Sequence, residues 1–99
     1  MAFDFGALEA SLTAAAGDDP ALVADLRHAL ISSASHHADL LARSRCDANW
    51  LVAAHRLKGL AASFGASDLF DAASAAIDTA PGDPVALRKV NRAVERLGE

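Results

Sequence analysis

The sequence is poor in the residues that would stabilise a β-sheet or a disulfide framework. Its 99 residues include no tyrosine, one tryptophan and one cysteine, Cys46, and aromatic residues make up only 5% of the chain. A single cysteine excludes an intramolecular disulfide and is typical of proteins in a reducing compartment. The chain is nevertheless 53% hydrophobic and rich in alanine. Because alanine favours helices and is depleted in strands, this composition predicts an all-α fold.

Positive charge is also scarce. The chain has 9 Lys+Arg against 13 Asp+Glu, which gives a formal net charge of −4. This balance argues against nucleic-acid binding, which depends on clustered basic charge. No apolar run reaches the roughly 18 residues of a membrane span, and the first ten residues, MAFDFGALEA, lack the basic start of a secretory signal. We therefore expect one cytoplasmic domain over residues 1–99, with no membrane segment.

Periodic apolar residues, together with the residues that begin and end each periodic run, predict five helices. Two start signals are clear, because Asp19 precedes Pro20 and Asp83 precedes Pro84, and an acidic cap before proline opens a helix. The predicted helices run from about Phe3 to Ala16, from Pro20 to Ser44, from a cap at Asp47 to Phe64, from a cap at Ser67 to Ile77, and onward from Pro84. Short loops between long helices favour antiparallel neighbours. The predicted architecture is an up-down antiparallel four-helix bundle with an additional short N-terminal helix.

The third helix has two contrasting faces. Its inward stripe follows helical spacing and consists of Trp50, Ala54, Leu57, Ala61 and Phe64. His55 points about 140° away from that stripe, so we expect it to face solvent. Lys58 and Gly59 follow at i+3 and i+4, which makes both of them neighbours of the imidazole.

Gly59 requires an explanation because glycine inside a helix costs about 1 kcal/mol relative to alanine. Two explanations are open: the missing Cβ clears a path to the His55 ring, or it permits close helix packing. A neutral imidazole is a competent nucleophile, and Lys58 would neutralise an anion that arrives there. This pattern indicates a histidine that accepts a negatively charged group.

The segment 55–59, His-Arg-Leu-Lys-Gly, followed by Ser-Phe-Gly-Ala at 63–66, resembles the signature of histidine-containing phosphotransfer (HPt) domains. The resemblance implies that His55 takes a phosphoryl group from a receiver-domain phosphoaspartate and passes it to another receiver. In such a domain Lys58 offsets phosphate charge and Gly59 gives access. Receiver domains of response regulators or hybrid histidine kinases are the implied partners.

The same resemblance implies a phosphocarrier without autonomous kinase activity. The chain has no phosphate-binding glycine loop, so we expect it to bind no cofactor and the magnesium ion to come from the receiver. Leu51, Val52 and Ala62 around His55 would form the apolar centre of the receiver-docking patch, and Arg56 its charged rim, with Arg43 and Arg45 as further candidates. We expect the domain to be a monomer.

Two positions depart from the family pattern. Leu60 follows Gly59 where a small residue is usual, and its direction on the helix predicts a packing role. Related domains place a polar side chain on the following helix to orient the imidazole, and the corresponding position here is near Ile77. Ser74, Asp78 or a water molecule remain as candidates for that role.

Other interpretations use the same residues differently. A phosphorylation-independent adaptor that binds and blocks a receiver domain is the main alternative, and a dimerising fragment of a histidine kinase is a weaker one. His28, His36 and His37 lack the i, i+4 pair of a helical zinc site, and we expect His37 to be a hydrogen-bonded boundary residue. Cys46 is expected to be a small buried residue near the turn between helices 2 and 3, not a nucleophile paired with His55.

Overall fold

Five α-helices make up most of the computed structural model, which describes residues 5–99. They are α1 Phe5–Ala16, α2 Pro20–Arg43, α3 Asp47–Phe64, α4 Ser67–Ile77 and α5 Pro84–Arg96. No strand occurs in this range, so the predicted all-α class is confirmed. The predicted start of the first helix at Phe3 lies outside the described residues. The N-terminal helix is short at 12 residues, but α4 with 11 residues is shorter still.

The acidic caps before proline start two helices as predicted. Asp19 accepts a hydrogen bond from the Ala21 amide at 2.9 Å, and Asp83 accepts one from the Ala86 amide at 2.8 Å. These bonds satisfy amides that have no partner inside the helix. The other two predicted caps were wrong by one residue, because Cys46 and Ala66 occupy the cap positions without side-chain capping bonds.

The inward stripe of α3 is the centre of the core. Trp50, Ala54, Leu57 and Ala61 are buried, and Phe64 is half-buried against them. The prediction of this stripe is therefore confirmed. The Trp50 indole nitrogen donates a hydrogen bond of 2.8 Å to the Ala76 carbonyl oxygen, so the only polar atom of this buried side chain has a partner.

Polar contacts between helices show which helix ends meet. The Trp50 bond joins the start of α3 to the end of α4, and Arg96 pairs with Asp68 at 2.6 Å across the end of α5 and the start of α4. Arg27 near the start of α2 donates to the Leu97 carbonyl oxygen at 3.1 Å and also pairs with Glu9 of α1. Each of the helices α2 to α5 packs against two of the other three, and α1 packs against α2 and α3.

The turn between α3 and α4 depends on Gly65. This residue has a φ of +68°, and its amide donates within the last turn of α3. A Cβ built at Gly65 would lie 3.2 Å from the Ala7 Cβ of α1. Left-handed backbone and close approach of α1 both favour glycine here. Within residues 5–99 no helix is both long enough and apolar enough to cross a membrane.

Candidate functional site

The solvent-facing side of α3 carries the predicted phosphoacceptor. His55 is exposed, opposite the buried stripe that includes Ala54 and Leu57, as its position on the helix predicted. We call this side the His55 face and define it by Leu51, Val52, His55, Gly59 and Ala62, with Lys58 and Arg56 at its two edges. Within the described part of the chain, no side chain makes a hydrogen bond to the His55 imidazole, so both ring nitrogens are open to an incoming group.

Lys58 lies at the edge of the His55 face that adjoins α4. Its side chain is half-buried, and its Nζ lies 5.4 Å from the centroid of the Phe70 ring. This distance is within the range of a cation–π interaction. No carboxylate of residues 5–99 forms an ion pair with Lys58. The lysine therefore brings an uncompensated positive charge to a position one helical turn from His55.

The space above Gly59 is open. The residue is exposed, and a Cβ built on it would have no neighbour within 4 Å among the described residues. No neighbouring helix approaches the Gly59 Cα, so close packing does not explain this glycine. Leu60 is half-buried and packs against the core, which confirms the packing role predicted for it.

One flank of the His55 face continues into a groove between α2 and α3. Val52 is 53% exposed and Leu40 is 39% exposed, so two large apolar side chains meet solvent beside each other. The groove has a volume of about 390 Å³ and is lined by Leu40, Arg43, Ser44, Asn49, Val52, Ala53 and Arg56. Val52 and Arg56, two members of the predicted docking patch, thus line the same groove. Arg45 does not line it.

Leu40 was not among the predicted surface residues, although its place in the sequence carries a signal. Leu40 and Leu41 are adjacent in α2, and adjacent helical residues diverge by about 100°, so both cannot point into the core. Leu41 is buried, which leaves Leu40 at the surface.

The opposite flank is a smaller depression between α3 and α4. It has a volume of about 340 Å³, and its lining includes Ala62, Gly65, Ala66 and Phe70. Ala62 and Val52 therefore lie on opposite flanks of the His55 face. Leu51 is 37% exposed and lines neither depression. His55 lines neither of them either, and stands on the ridge between the two.

Neither Ser74 nor Asp78, the two side chains predicted as candidates for orienting the imidazole, makes a hydrogen bond to it among the described residues. The Ser74 Oγ is buried without a hydrogen-bond partner among the described residues, and Asp78 is exposed. Ile77 is half-buried against the core.

Two expectations about other reactive residues were wrong. Cys46 is exposed because it precedes α3 at the cap position, where its side chain is outside the core. His37 is half-buried as expected, but among the described residues its buried Nδ1 lacks the predicted hydrogen-bond partner. In residues 5–99 no group of three or more His, Cys, Asp or Glu side chains is arranged to hold a metal ion.

Burial lowers the pKa of His37 below the ordinary value of 6.5, and the nearby positive charges of His36 and Arg56 lower it further. The His36 and His37 ring centroids are 5.3 Å apart. His37 on α2 is therefore close enough to Arg56 of α3 for the charge of the arginine to affect it.

Comparisons of the chain with protein-family models, with curated proteins and with solved structures found no match.

We predict opposite stability effects at the two glycines that flank the end of α3. Gly59→Ala should raise the free energy of unfolding by about 0.5–1 kcal/mol, because alanine is the better helix former and its Cβ meets nothing. Gly65→Ala should lower it, because alanine is strained at a φ of +68° and approaches Ala7. Urea unfolding followed by circular dichroism measures both. A loss of stability in Gly59→Ala would show that the fold itself requires this glycine.

We also predict that His37 makes the fold less stable in mild acid. Since its pKa is lowered in the folded protein, the unfolded chain binds more protons as the pH falls below about 6.5, and stability falls with it until the folded-state pKa is passed. Urea unfolding of His37→Gln from pH 7 to about pH 5 should show a shallower pH dependence than the unsubstituted protein. His28→Gln, at an exposed position of the same helix, is the matched control. Identical slopes for His37→Gln and the unsubstituted protein would contradict the prediction.

Proposed function

We propose that this chain is a histidine phosphotransfer protein of the cytoplasm, in which His55 accepts a phosphoryl group from a receiver-domain phosphoaspartate and passes it to another receiver domain. The observation that carries the proposal is the arrangement on the His55 face. An exposed imidazole has an unpaired ammonium group at i+3 and open space above a glycine at i+4. These features supply a nucleophile, a compensating charge and an approach path.

The proposed fold is an up-down antiparallel bundle of α2 to α5, with α1 as an additional N-terminal helix. It is supported by the helix ends that meet. Trp50 joins the start of α3 to the end of α4, and Arg96 joins the end of α5 to the start of α4. Arg27 joins the start of α2 to the residue after α5. In this arrangement the outward side of α3 is free for a partner.

In the proposed transfer, a neutral His55 attacks the phosphorus of the phosphoaspartate through Nε2. The new P–N bond forms as the P–O bond to the aspartyl carboxylate breaks, and the electron pair of that bond stays with the carboxylate. The imidazole proton remains on Nδ1. Because phosphoryl transfer passes through a loose transition state, positioning and charge neutralisation contribute more than covalent assistance. Lys58 provides such charge at the oxygens of the transferred group.

The proposal assigns no kinase activity to this chain. The carboxylates that hold magnesium belong to the receiver, and this chain supplies the imidazole and the surface that presents it. Docking uses the His55 face and the adjoining groove, where Leu40 and Val52 provide apolar contact and Arg43 and Arg56 are at the rim. Basic rim residues complement the acidic surface around a receiver's phosphoacceptor.

An adaptor that binds a receiver without phosphorylation is the second candidate. It is favoured by one observation: the groove beside Val52 is complete without His55, which does not line it. Such an adaptor requires neither the uncompensated charge of Lys58 nor the open space above Gly59.

If this chain is a phosphocarrier, His55 should acquire an acid-labile phosphoryl label. The purified protein is incubated with phosphorylated receiver domains and magnesium, and separately with phosphoramidate as a partner-free donor. Label that survives base and is lost in acid should appear, and His55→Gln should abolish it with folding unchanged, because the side chain is exposed. His28→Gln, at another exposed helical histidine, should keep the label. Absence of label from every donor, with receiver binding intact, would favour the adaptor.

If Gly59 gives the phosphoryl group access to His55, the rate of transfer should fall as the side chain at position 59 becomes larger. Gly59→Gln should fold normally, because a Cβ at this exposed position meets no described residue within 4 Å, yet transfer should slow by about 10- to 100-fold because the amide crowds the phosphorus approaching His55. Gly59→Ala is the matched control and should lose less. Single-turnover transfer from a labelled receiver measures both rates. Equal rates for all three proteins would show that Gly59 has no role in access.

A further inference from the structure

The positive charge of Lys58 is held in place by an aromatic ring. Its Nζ lies 5.4 Å from the centroid of Phe70 on α4, and no carboxylate of residues 5–99 pairs with it. An aromatic face attracts a cation through its quadrupole and carries no net charge. A carboxylate at the same place would hold the ammonium group as well, but would also cancel its charge for any third group.

We propose that Phe70 is a positioning residue for phosphotransfer: it holds the Lys58 ammonium beside His55 while leaving its charge available to the phosphoryl group. The inference rests on the function proposed above. The ring neither touches the phosphoryl group nor takes part in bond making. It acts through the lysine. Because no carboxylate of residues 5–99 pairs with Lys58, the charge of the ammonium group remains available to the incoming phosphoryl group.

The surroundings of Phe70 suit it to this role. A lysine side chain has four rotatable bonds, so it loses conformational entropy when it is held in one position. Phe70 is half-buried and packs against the core, so its ring is part of a rigid element. The turn at Gly65 and the bond from Trp50 to the Ala76 carbonyl fix α4 against α3 at both ends. The ring that contacts Lys58 thus lies on a helix that is held against α3, the helix bearing His55, at both of its ends.

A purely structural role for the contact makes a different prediction. Lysine stems commonly lie on apolar surface while their charged ends reach water, and Phe70 would then serve only as a packing surface. Under that explanation, replacing Phe70 affects stability, and any effect on His55 is independent of the charge at position 58. A double-mutant cycle separates the two explanations because it measures whether one substitution alters the effect of the other.

The experiment measures the rate at which phosphoramidate labels His55, since this small donor requires no docking surface. The four proteins are the unsubstituted chain, Phe70→Leu, Lys58→Met and the double variant. A cation–π contact at a surface site corresponds to a factor of about two to five, so Phe70→Leu should slow labelling by that factor. In the Lys58→Met background the same substitution should have no further effect. Phe70→Trp, which keeps an aromatic face, should retain the rate.

Phe64→Leu is the matched control. Phe64 is also a half-buried phenylalanine packed against the core, but it is on the opposite side of α3 from His55 and makes no cation–π contact within residues 5–99. It should lose stability as Phe70→Leu does, without a change in labelling rate. NMR of the unphosphorylated protein tests the contact itself. The ring current of Phe70 should shift the Lys58 Hε resonances upfield, and Phe70→Leu should remove the shift.

Two different failures are distinguishable. If Phe70→Leu slows labelling by the same factor with and without the lysine charge, Phe70 acts through packing and this inference alone is overturned. If the unsubstituted protein takes no label from phosphoramidate or from any phosphorylated receiver, the proposed phosphotransfer function is overturned and the positioning role of Phe70 with it, even where the NMR shift is present.

Discussion

The burial of Trp50 is the constraint on which the orientation of α3 depends. Its ring is buried in the core, and its one polar atom donates to the Ala76 carbonyl oxygen at the far end of α4. Because an unpaired indole N–H in the core would be costly, this bond allows one rotation of α3 about its axis. With that rotation fixed, His55 must face outward. The exposure of His55 is thus a consequence of the hydrogen bond that Trp50 makes on the other side of the helix.

The His55 face contributes little to the stability of the fold, and its features are those that a packing argument leaves unexplained. Gly59 weakens its helix while a Cβ built on it would meet no described residue, Lys58 forms no ion pair within residues 5–99, and Val52 exposes apolar surface to water. Local departures of this kind from the rules for a stable fold are expected where a surface serves a partner. Their concentration within two turns of one helix makes this the candidate site.

Local signals in the sequence predicted most of the helices. The features that were not predicted depend on contacts between segments that are distant in the sequence. Asp19 and Asp83 ahead of prolines identified two helix starts, and spacing identified the buried face of α3. The burial of Cys46 and the hydrogen-bond partner of His37 were predicted wrongly, because neither can be read from the spacing of residues along one helix. The Lys58–Phe70 contact joins two helices and has no counterpart in the periodicity of either one. His55, Lys58 and Gly59 were predicted as site residues from the sequence alone, whereas the contact between Lys58 and Phe70 is visible only in the structure.

The side chain of Arg27 links parts of the chain that are far apart in sequence. It pairs with Glu9 in the first helix and donates to the Leu97 carbonyl oxygen beyond the last. Opening either α1 or the segment after α5 would leave this guanidinium with fewer partners, so we expect local unfolding of these two segments to be coupled. In hydrogen exchange, the amides of α1 and of the last turn of α5 would then gain or lose protection together.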